Sequence, residues 1–397
     1  MQLKYNSFIL FVLWALFLGC DKEPPLSGTI TLSANSDWAH VVYLIDPKTW
    51  DGVASSFVGE VVDSAIIAAD GHFEFAHIPN ATEPRLFELT MQQKSASYFP
   101  SRLENDDPNT SNYYPFIYKN GDISRVRAEA AHFQQSFSIE KPSPENAALL
   151  KLRDIRLAAY NQYLAGTQDG AHDEAALLDK EKAVLSFQKS IMQFAADSRY
   201  LLPALTAIRW VSVEGNYERV PEFIVAQAER WQSAEPDNVW VQALAKKADR
   251  KNLPVLVGDI IPNDNLPMLS GNTLPLHTLL GKRLTVLDLW ASWCAPCRKE
   301  NRNYLVPIWD KHHTEGFQIV GYALDASQGA WSAAIEKDGA NRWVHASDLQ
   351  GDNAALFKQL RLTSIPANFI LDENGKVLAK NVFGEDLVKF VDAFFRQ

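Results

Sequence analysis

Three regimes of apolar patterning follow one another along the 397 residues. From residue 27 to 140 the apolar positions come in short runs with turn signals: Gly28-Thr29-Ile30-Thr31-Leu32, His40-Val41-Val42-Tyr43-Leu44-Ile45, Asp70-Gly71-His72-Phe73-Glu74-Phe75 and Lys119-Asn120-Gly121-Asp122-Ile123. Runs of that length and spacing predict an antiparallel β-rich domain. At Ser143 the pattern turns helical, with Ser143 as N-cap, Pro144 in the first helical position and Glu145 after it. Ala/Leu-rich stretches continue to residue 250, broken near Gly166 to Gly170, at Pro203, near Gly215 and at Glu235-Pro236, so 143–250 reads as a helical region of four or five helices. Trp210, Trp231 and Trp240 are most simply the packing between those helices, with a peptide-binding groove as the alternative. Lys251-Asn252-Leu253-Pro254 marks a boundary, and residues 254–397 mix strand and helix patterns.

The first residues form a fourth pattern. Lys4 opens a short basic segment, Ser7 to Leu18 is almost wholly apolar, and Gly19-Cys20 follows. An apolar core of about 12 residues is too short to span a bilayer and suits a signal peptide over 1–19. Leu16-Phe17-Leu18-Gly19-Cys20 resembles a bacterial lipobox, which implies lipidation of Cys20, a linker over 20–26 and a lipid anchor in the membrane. Phe17 and Leu18 depart from the usual small residues, so ordinary signal-peptidase cleavage and an uncleaved anchor stay open.

Chemistry concentrates at Trp293-Cys294-Ala295-Pro296-Cys297, where the β-rich run Leu284 to Trp290 gives way to helix-compatible Arg298, Lys299 and Glu300. A Cys at the start of a helix feels unpaired N–H groups and the positive end of the dipole, which favour thiolate. Cys294 is the candidate nucleophile. A fall in thiol pKa from about 8.5 to about 7 raises the thiolate fraction at pH 7 from roughly 3% to roughly 50%. Cys297, one turn further in, would then resolve a mixed disulfide on Cys294. Half a zinc site, or two core cysteines, are the alternatives. Zinc wants four ligands and there is no second Cys pair, while the adjacent His312 and His313 point in different directions and read as solvated surface.

On these residues, 254–397 resembles the thioredoxin-fold domain of the TlpA/ResA-like thiol-disulfide oxidoreductases. Asp288, six residues before the first Cys, falls where thioredoxins carry a buried acid. Leu274 to Arg283 resembles the family's opening strand and loop, Phe317 to Asp325 its next parallel strand, Ser364-Ile365-Pro366 its cis-proline loop, and Phe369 to Val377 its closing hairpin with an Asn-Gly turn. The resemblance implies an α/β domain with a central mixed sheet flanked by helices, and a catalytic set of Cys294, Cys297, Asp288 and Glu300. It implies a substrate surface of Trp293, Ala295, Pro296, Ile365 and Pro366, with Trp290 in the core. Asp288 would take the proton from Cys297, and Glu300 would tune the thiols; a solvent-facing Asp288 and plain dipole stabilisation by Glu300 are the competing readings. Gly321-Tyr322-Ala323 offers no Lys where thioredoxins have one, which weakens proton handling borrowed from them. Leu287 and Ala291 stand where peroxiredoxins need Pro and Thr. Residues 27–140 also resemble, at Val62-Asp63-Ser64, Asp70-Gly71-His72-Phe73 and a Phe116 to Ile123 hairpin, the β-rich module of unknown function found before TlpA-like domains in exported lipoproteins.

Composition then narrows the partners. A net charge of −10 without a basic cluster argues against nucleic acid. With Cys20 assigned to lipid, the only cysteines left are the active pair, and no cofactor or metal is implied because two thiols carry the electrons. An exported dithiol needs an electron donor to stay reduced. The expected function is a cell-envelope thiol-disulfide oxidoreductase acting on disulfides of exported proteins, in the reducing direction, of a kind that often serves cytochrome c maturation. The alternative is an envelope binding or chaperone-like lipoprotein whose N-terminal units recognise a partner. His72 and His77 read as ordinary strand and loop residues.

Overall fold

The computed structural model describes residues 23–54, 59–96, 107–166 and 174–396, the side chains of 174–178 excepted. The expected signal peptide and Cys20 lie outside these residues. The N-terminal strands are β1 (Leu26–Thr31), β2 (Trp38–Asp46), β3 (Glu60–Ile66), β4 (His72–Phe75), β5 (Arg85–Gln93), β6 (Tyr113–Tyr118), β7 (Ser124–Glu129) and β8 (Ser138–Glu140). They form two four-stranded sheets, β3-β2-β5-β6 and β4-β1-β7-β8. Pairing is antiparallel except that β1 and β7 run parallel, Leu26 opposite Ser124. The long connection through β2 to β6 supplies the crossover a parallel pair needs. Lys119 to Ile123 is not a strand but the turn from β6 to β7, with Gly121 at φ +93°. Since β6 and β7 belong to different sheets, the expected Phe116 to Ile123 hairpin is instead a crossing between sheets.

After a short helix α1 (Phe133–Ser136) come α2 (Pro144–Tyr163), α3 (Glu174–Asp197), α4 (Leu201–Val211), α5 (Pro221–Ala234) and α6 (Val239–Lys247). Ser143 caps α2 as expected, its hydroxyl accepting from the Asn146 N–H at 3.2 Å. Pro203 does not break a helix: it lies in the first turn of α4, where its missing N–H has no intrahelical partner to lose. The break falls just before, at 198–200. Trp210 and Trp231 are buried among these helices.

Strands and helices share one apolar core, in which Phe73, Phe75 and Phe87 join Leu149, Leu152 and Ile208. Polar pins cross it. The Asn146 amide both accepts from the Ile117 N–H (3.0 Å) and donates to its carbonyl (2.7 Å), and Trp210 Nε1 donates to the Tyr113 hydroxyl at 2.9 Å. Leu253 and Leu256 still pack in this core, and the second core begins at Ile261.

The C-terminal region contains β9 (Asn265–Pro267), β10 (Thr273–Pro275), β11 (Leu284–Trp290), α7 (Ala295–Glu300), α8 (Val306–His312), β12 (Phe317–Ala323), α9 (Gln328–Asp338), β13 (Val344–Ala346), α10 (Ala355–Gln359), β14 (Ala367–Asp372), β15 (Val377–Lys380) and α11 (Gly384–Phe395). Its sheet is mixed, in the order β13-β12-β11-β14-β15, with β11, β12 and β13 parallel and β14 antiparallel to both neighbours. Every residue of the central β11 is buried, as in a strand covered on both faces, so apolar alternation carries no information about where Asp288 points. The β14–β15 hairpin turns through Asn374-Gly375, with Gly375 at φ +79°.

Candidate active site

β11 delivers the chain to a tight turn, and Cys294 becomes the N-cap of α7, its Sγ accepting from the Cys297 N–H at 3.3 Å. The two thiols are joined in a disulfide, their Cα atoms 5.3 Å apart. Cys294 keeps 5% of its surface and Cys297 only 1%, so Cys294 is the more accessible sulfur. Trp293 stands 61% exposed beside them, whereas Trp290 is fully buried.

Buried ion pairs and hydrogen bonds fix this turn. The Ser292 N–H and hydroxyl donate to Asp325, and Arg298 bridges the Ser292 carbonyl (3.1 Å) to Asp338. Arg302 donates to the same Asp338 carboxylate at 2.8 Å. Between α7 and α8 the backbone widens into a π-helical turn at Asn301–Leu305, next to Pro307, whose ring cannot supply a helical N–H.

Two buried carboxyls sit on the elements that flank the thiol turn. Asp288 on β11 is buried, and burial, reinforced by the charge of Glu300, pushes its pKa up to about 8. Glu300, the last residue of α7, is pushed up to about 7 by burial, against the lowering effects of a Gly384 N–H at 2.8 Å and of the Lys182 charge. Its Oε2 has no partner among the described residues. A Cβ at Gly321 would come within 2.7 Å of His345 Nδ1 and 3.2 Å of Trp290 Nε1, so no longer side chain fits there. His345 itself is buried, which lowers its pKa to about 4 and keeps it neutral.

The Ile365-Pro366 peptide is cis and borders the same cavity as Cys294. The Ile365 N–H and C=O make no hydrogen bond among the described residues, which leaves both open to an extended chain laid alongside.

Residues 256–389 match the Redoxin family model. The C-terminal third is a Redoxin domain. The thiol-disulfide oxidoreductase ResA of Bacillus cereus is 25% identical over 155 residues, covering 38% of this chain and 82% of its own. The sporulation thiol-disulfide oxidoreductase A of Bacillus subtilis is 28% identical over 93 residues, 23% of this chain and 55% of that protein. Among solved structures, the thioredoxin domain of a thiol-disulfide oxidoreductase from Bacteroides vulgatus is 27% identical, covering 35% of this chain and 98% of that one at a TM-score of 0.33. A thiol-disulfide oxidoreductase from Bacteroides fragilis is 29% identical, over 34% and 98%, at 0.32. The Redoxin domain is thus that of a thiol-disulfide oxidoreductase, with Cys294–Cys297 as its disulfide.

The Redoxin domain does not enclose its site alone. A cavity of about 390 Å³ over Cys294 is walled on one side by Trp293, Ala295, Pro296, Ile365 and Pro366, and on the other by Lys180, Glu181 and Val184 of α3. The helical region also grips the proline loop. Arg219 donates to the Pro366 carbonyl (3.3 Å), to Asn381 Oδ1 (3.1 Å) and to Ser364 Oγ (2.8 Å), while Glu218 accepts from the Thr363 N–H at 3.0 Å and from its hydroxyl. Sequence reasoning missed these residues, because nothing local to α3 or to the loop before α5 signals a partner more than 100 residues away.

One expectation about the Redoxin domain is corrected. His312 is not solvated surface: it is buried, hydrogen-bonded to Asp392 (2.8 Å) and Glu315 (3.0 Å), and stacked on Phe395. The amphipathic α11 brings Asp392 to it, a contact that local spacing does not reveal. His313 is exposed and stacks on Trp309.

Proposed function

We infer that this chain is a membrane-anchored cell-envelope reductase of disulfides in exported proteins. The observation that carries the reading is the pair of thiols at the start of α7, Cys294 lining the cavity and Cys297 almost wholly buried, with a buried carboxyl on the strand that leads into the turn whose pKa is about 8. A base with a pKa near the working pH is suited to taking a thiol proton.

In the reduced enzyme the Cys294 thiolate attacks one sulfur of a substrate disulfide, forming a mixed disulfide and expelling the other substrate sulfur as thiolate. Asp288 takes the proton from Cys297, whose thiolate attacks Cys294 and forms the Cys294–Cys297 disulfide. The second substrate sulfur leaves as thiolate, and two protons complete the substrate dithiol. Two electrons have passed from enzyme to substrate, and a membrane or envelope dithiol donor returns them. The Ile365 backbone aligns the substrate segment, Glu300 couples to Asp288, and Pro296 before the second Cys fits the reducing direction.

Anchoring rests on Leu16-Phe17-Leu18-Gly19-Cys20. No helix among the described residues is long and apolar enough to cross a membrane. Fatty-acid labelling that disappears in Cys20→Ser is the expected result; labelling that persists removes the anchor from this reading.

The deciding experiment equilibrates the protein in glutathione and dithiothreitol buffers and then measures insulin reduction. Cycling with a potential near the roughly −270 mV of thioredoxin, and loss of activity in Cys294→Ser, are expected. Activity that survives Cys294→Ser would sink the enzyme reading, and a potential near roughly −120 mV would reverse its direction.

A further inference from the structure

The wall supplied by α3 is the part of the site that the thiol chemistry does not require. Thiol exchange needs Cys294, Cys297, their acids and a backbone to align the substrate, and the Redoxin domain contains all of these. Yet Lys180, Glu181 and Val184, from a helix more than a hundred residues upstream, close the remaining side of the cavity. Nor is α3 laid there loosely. Lys182 pairs with Asp386 of α11 at 3.5 Å, and Glu181 faces Arg219 at 3.7 Å, the same guanidinium that holds Ser364 and the Pro366 carbonyl. Arg219 therefore ties both walls of the cavity to one point.

We propose that α3 is the specificity wall of the thiol site, restricting Cys294 to cysteines carried on extended, unfolded polypeptide segments. This rests on the reductase reading above. Three observations carry it. The cavity, at about 390 Å³, lies near the low end of the roughly 300–1,000 Å³ typical of ligand pockets, room for a short run of residues but not for a folded surface. Cys294 retains only 5% exposure and lines this cavity, so a substrate reaching its sulfur passes the residues of α3. The free pairing edge is the Ile365 backbone, which accepts a partner strand at about 4.8 Å, the spacing of a β-ladder, and thereby selects an extended chain. Val184, Trp293, Ala295 and Pro296 give the cavity apolar sides, and Lys180 and Glu181 at the α3 side can hydrogen-bond a passing main chain of any sequence. The substrate class is thus an unfolded exported chain with an accessible disulfide, met before or instead of its folded form.

The test uses the full chain in its reduced form and three disulfides: hydroxyethyl disulfide, an unstructured ten-residue peptide bearing a mixed disulfide, and a small folded protein bearing the same mixed disulfide at an exposed helical position. The expected wild-type rate constant is about tenfold or more higher for the peptide than for the folded protein, the scale on which pocket fit discriminates. Val184→Trp, which fills the cavity, lowers the ratio of the peptide rate to the hydroxyethyl disulfide rate about tenfold. A variant combining Lys180→Ala, Glu181→Ala and Val184→Ala, which lowers the wall without adding bulk, brings peptide and folded protein within about threefold. Equal rates for peptide and folded protein in the wild type, or an unchanged ratio in both variants, would overturn the proposal. Failure of the wild type to react with hydroxyethyl disulfide at all would instead overturn the reductase reading beneath it.

Discussion

Buried charge is handled in opposite ways at two places in the molecule. In the N-terminal body Arg156 and Asp46 are matched where they are buried, as is Asp338 of the Redoxin domain, which Arg298 and Arg302 hold. Arg156 is 2% exposed, donates to Gln134 Oε1 at 2.5 Å and lies 4.8 Å above the Trp210 ring, and Asp46 is paired with Arg85 and with Lys48 at 2.7 Å. In the Redoxin core Asp288 has no cation and no hydrogen-bond donor among the described residues, and the charge that acts on it, Glu300, has the same sign. Burying a polar group with its partner stabilises one arrangement of the chain; burying a carboxyl without one raises its pKa toward neutrality. The first arrangement serves folding, and the second, in the proposed mechanism, supplies the proton acceptor for Cys297 at a stability cost.

Removing Asp288 should give the largest effect. In Asp288→Asn the resolving attack by Cys297 is expected to slow about 100-fold at pH 7, the usual scale of general-base assistance, so that a mixed disulfide on Cys294 accumulates in single-turnover mass spectrometry. An unchanged profile of Cys297 reactivity against pH would take Asp288 out of the mechanism. The same variant should alter stability with the opposite sign. With a folded pKa of about 8, well above its unfolded value of about 3.9, Asp288 holds its proton in the folded state across a window where the unfolded chain releases it. Wild-type stability therefore falls as pH rises from about 4 to about 8 and levels beyond, and Asp288→Asn flattens that fall and is the more stable protein at pH 8. Urea titrations at pH 5 and pH 8 measure it, and the macroscopic midpoints belong to the Asp288–Glu300 pair together.

Arg156→Ala should do the reverse. It opens a cavity beneath Trp210 and strands the Gln134 carbonyl oxygen, so about 2 kcal/mol of stability is lost while the rate of Cys294 with hydroxyethyl disulfide stays the same. A variant that lost thiol reactivity with its fold intact would break the division between the two cores.

Much of this contrast was open to sequence reasoning on one side only. The thiol turn and the Asn-Gly hairpin lie in ordered short motifs that local chemistry places, a turn after a strand, a cap before a helix and a Gly at φ +79°, whereas the buried acid and the proline loop are legible only through the resemblance to the TlpA/ResA-like domain. Short spacing failed wherever a contact spans the chain. The Lys119 to Ile123 turn has hairpin composition, yet the strands it joins pair elsewhere, because sheet partners are chosen by the whole apolar face. His312 has the composition of surface until α11 folds over it. The α3 wall and the Arg219 clamp lie furthest from view, since an amphipathic helix announces only that one face is buried and a charged loop residue names no partner.

The smallest effect concerns the one charge by which the helical region reaches the acid pair. Lys182 of α3 lowers the pKa of Glu300, opposing the burial that raises it to about 7. Lys182 is 57% exposed, so solvent and salt screen most of its field. Lys182→Met should therefore move the Glu300 titration upward by a small amount, read from the side-chain carboxyl carbon by 13C NMR. Raising the salt to 1 M in the wild type should move it in the same direction. Asp386→Asn separates the two roles of Lys182, because it breaks the 3.5 Å ion pair while leaving the positive charge on α3. No upward movement is expected in that variant. An upward movement equal to that of Lys182→Met would mean that the seating of α3, and not the field of Lys182, sets the Glu300 titration, and the helical region would then act on the acids through geometry alone.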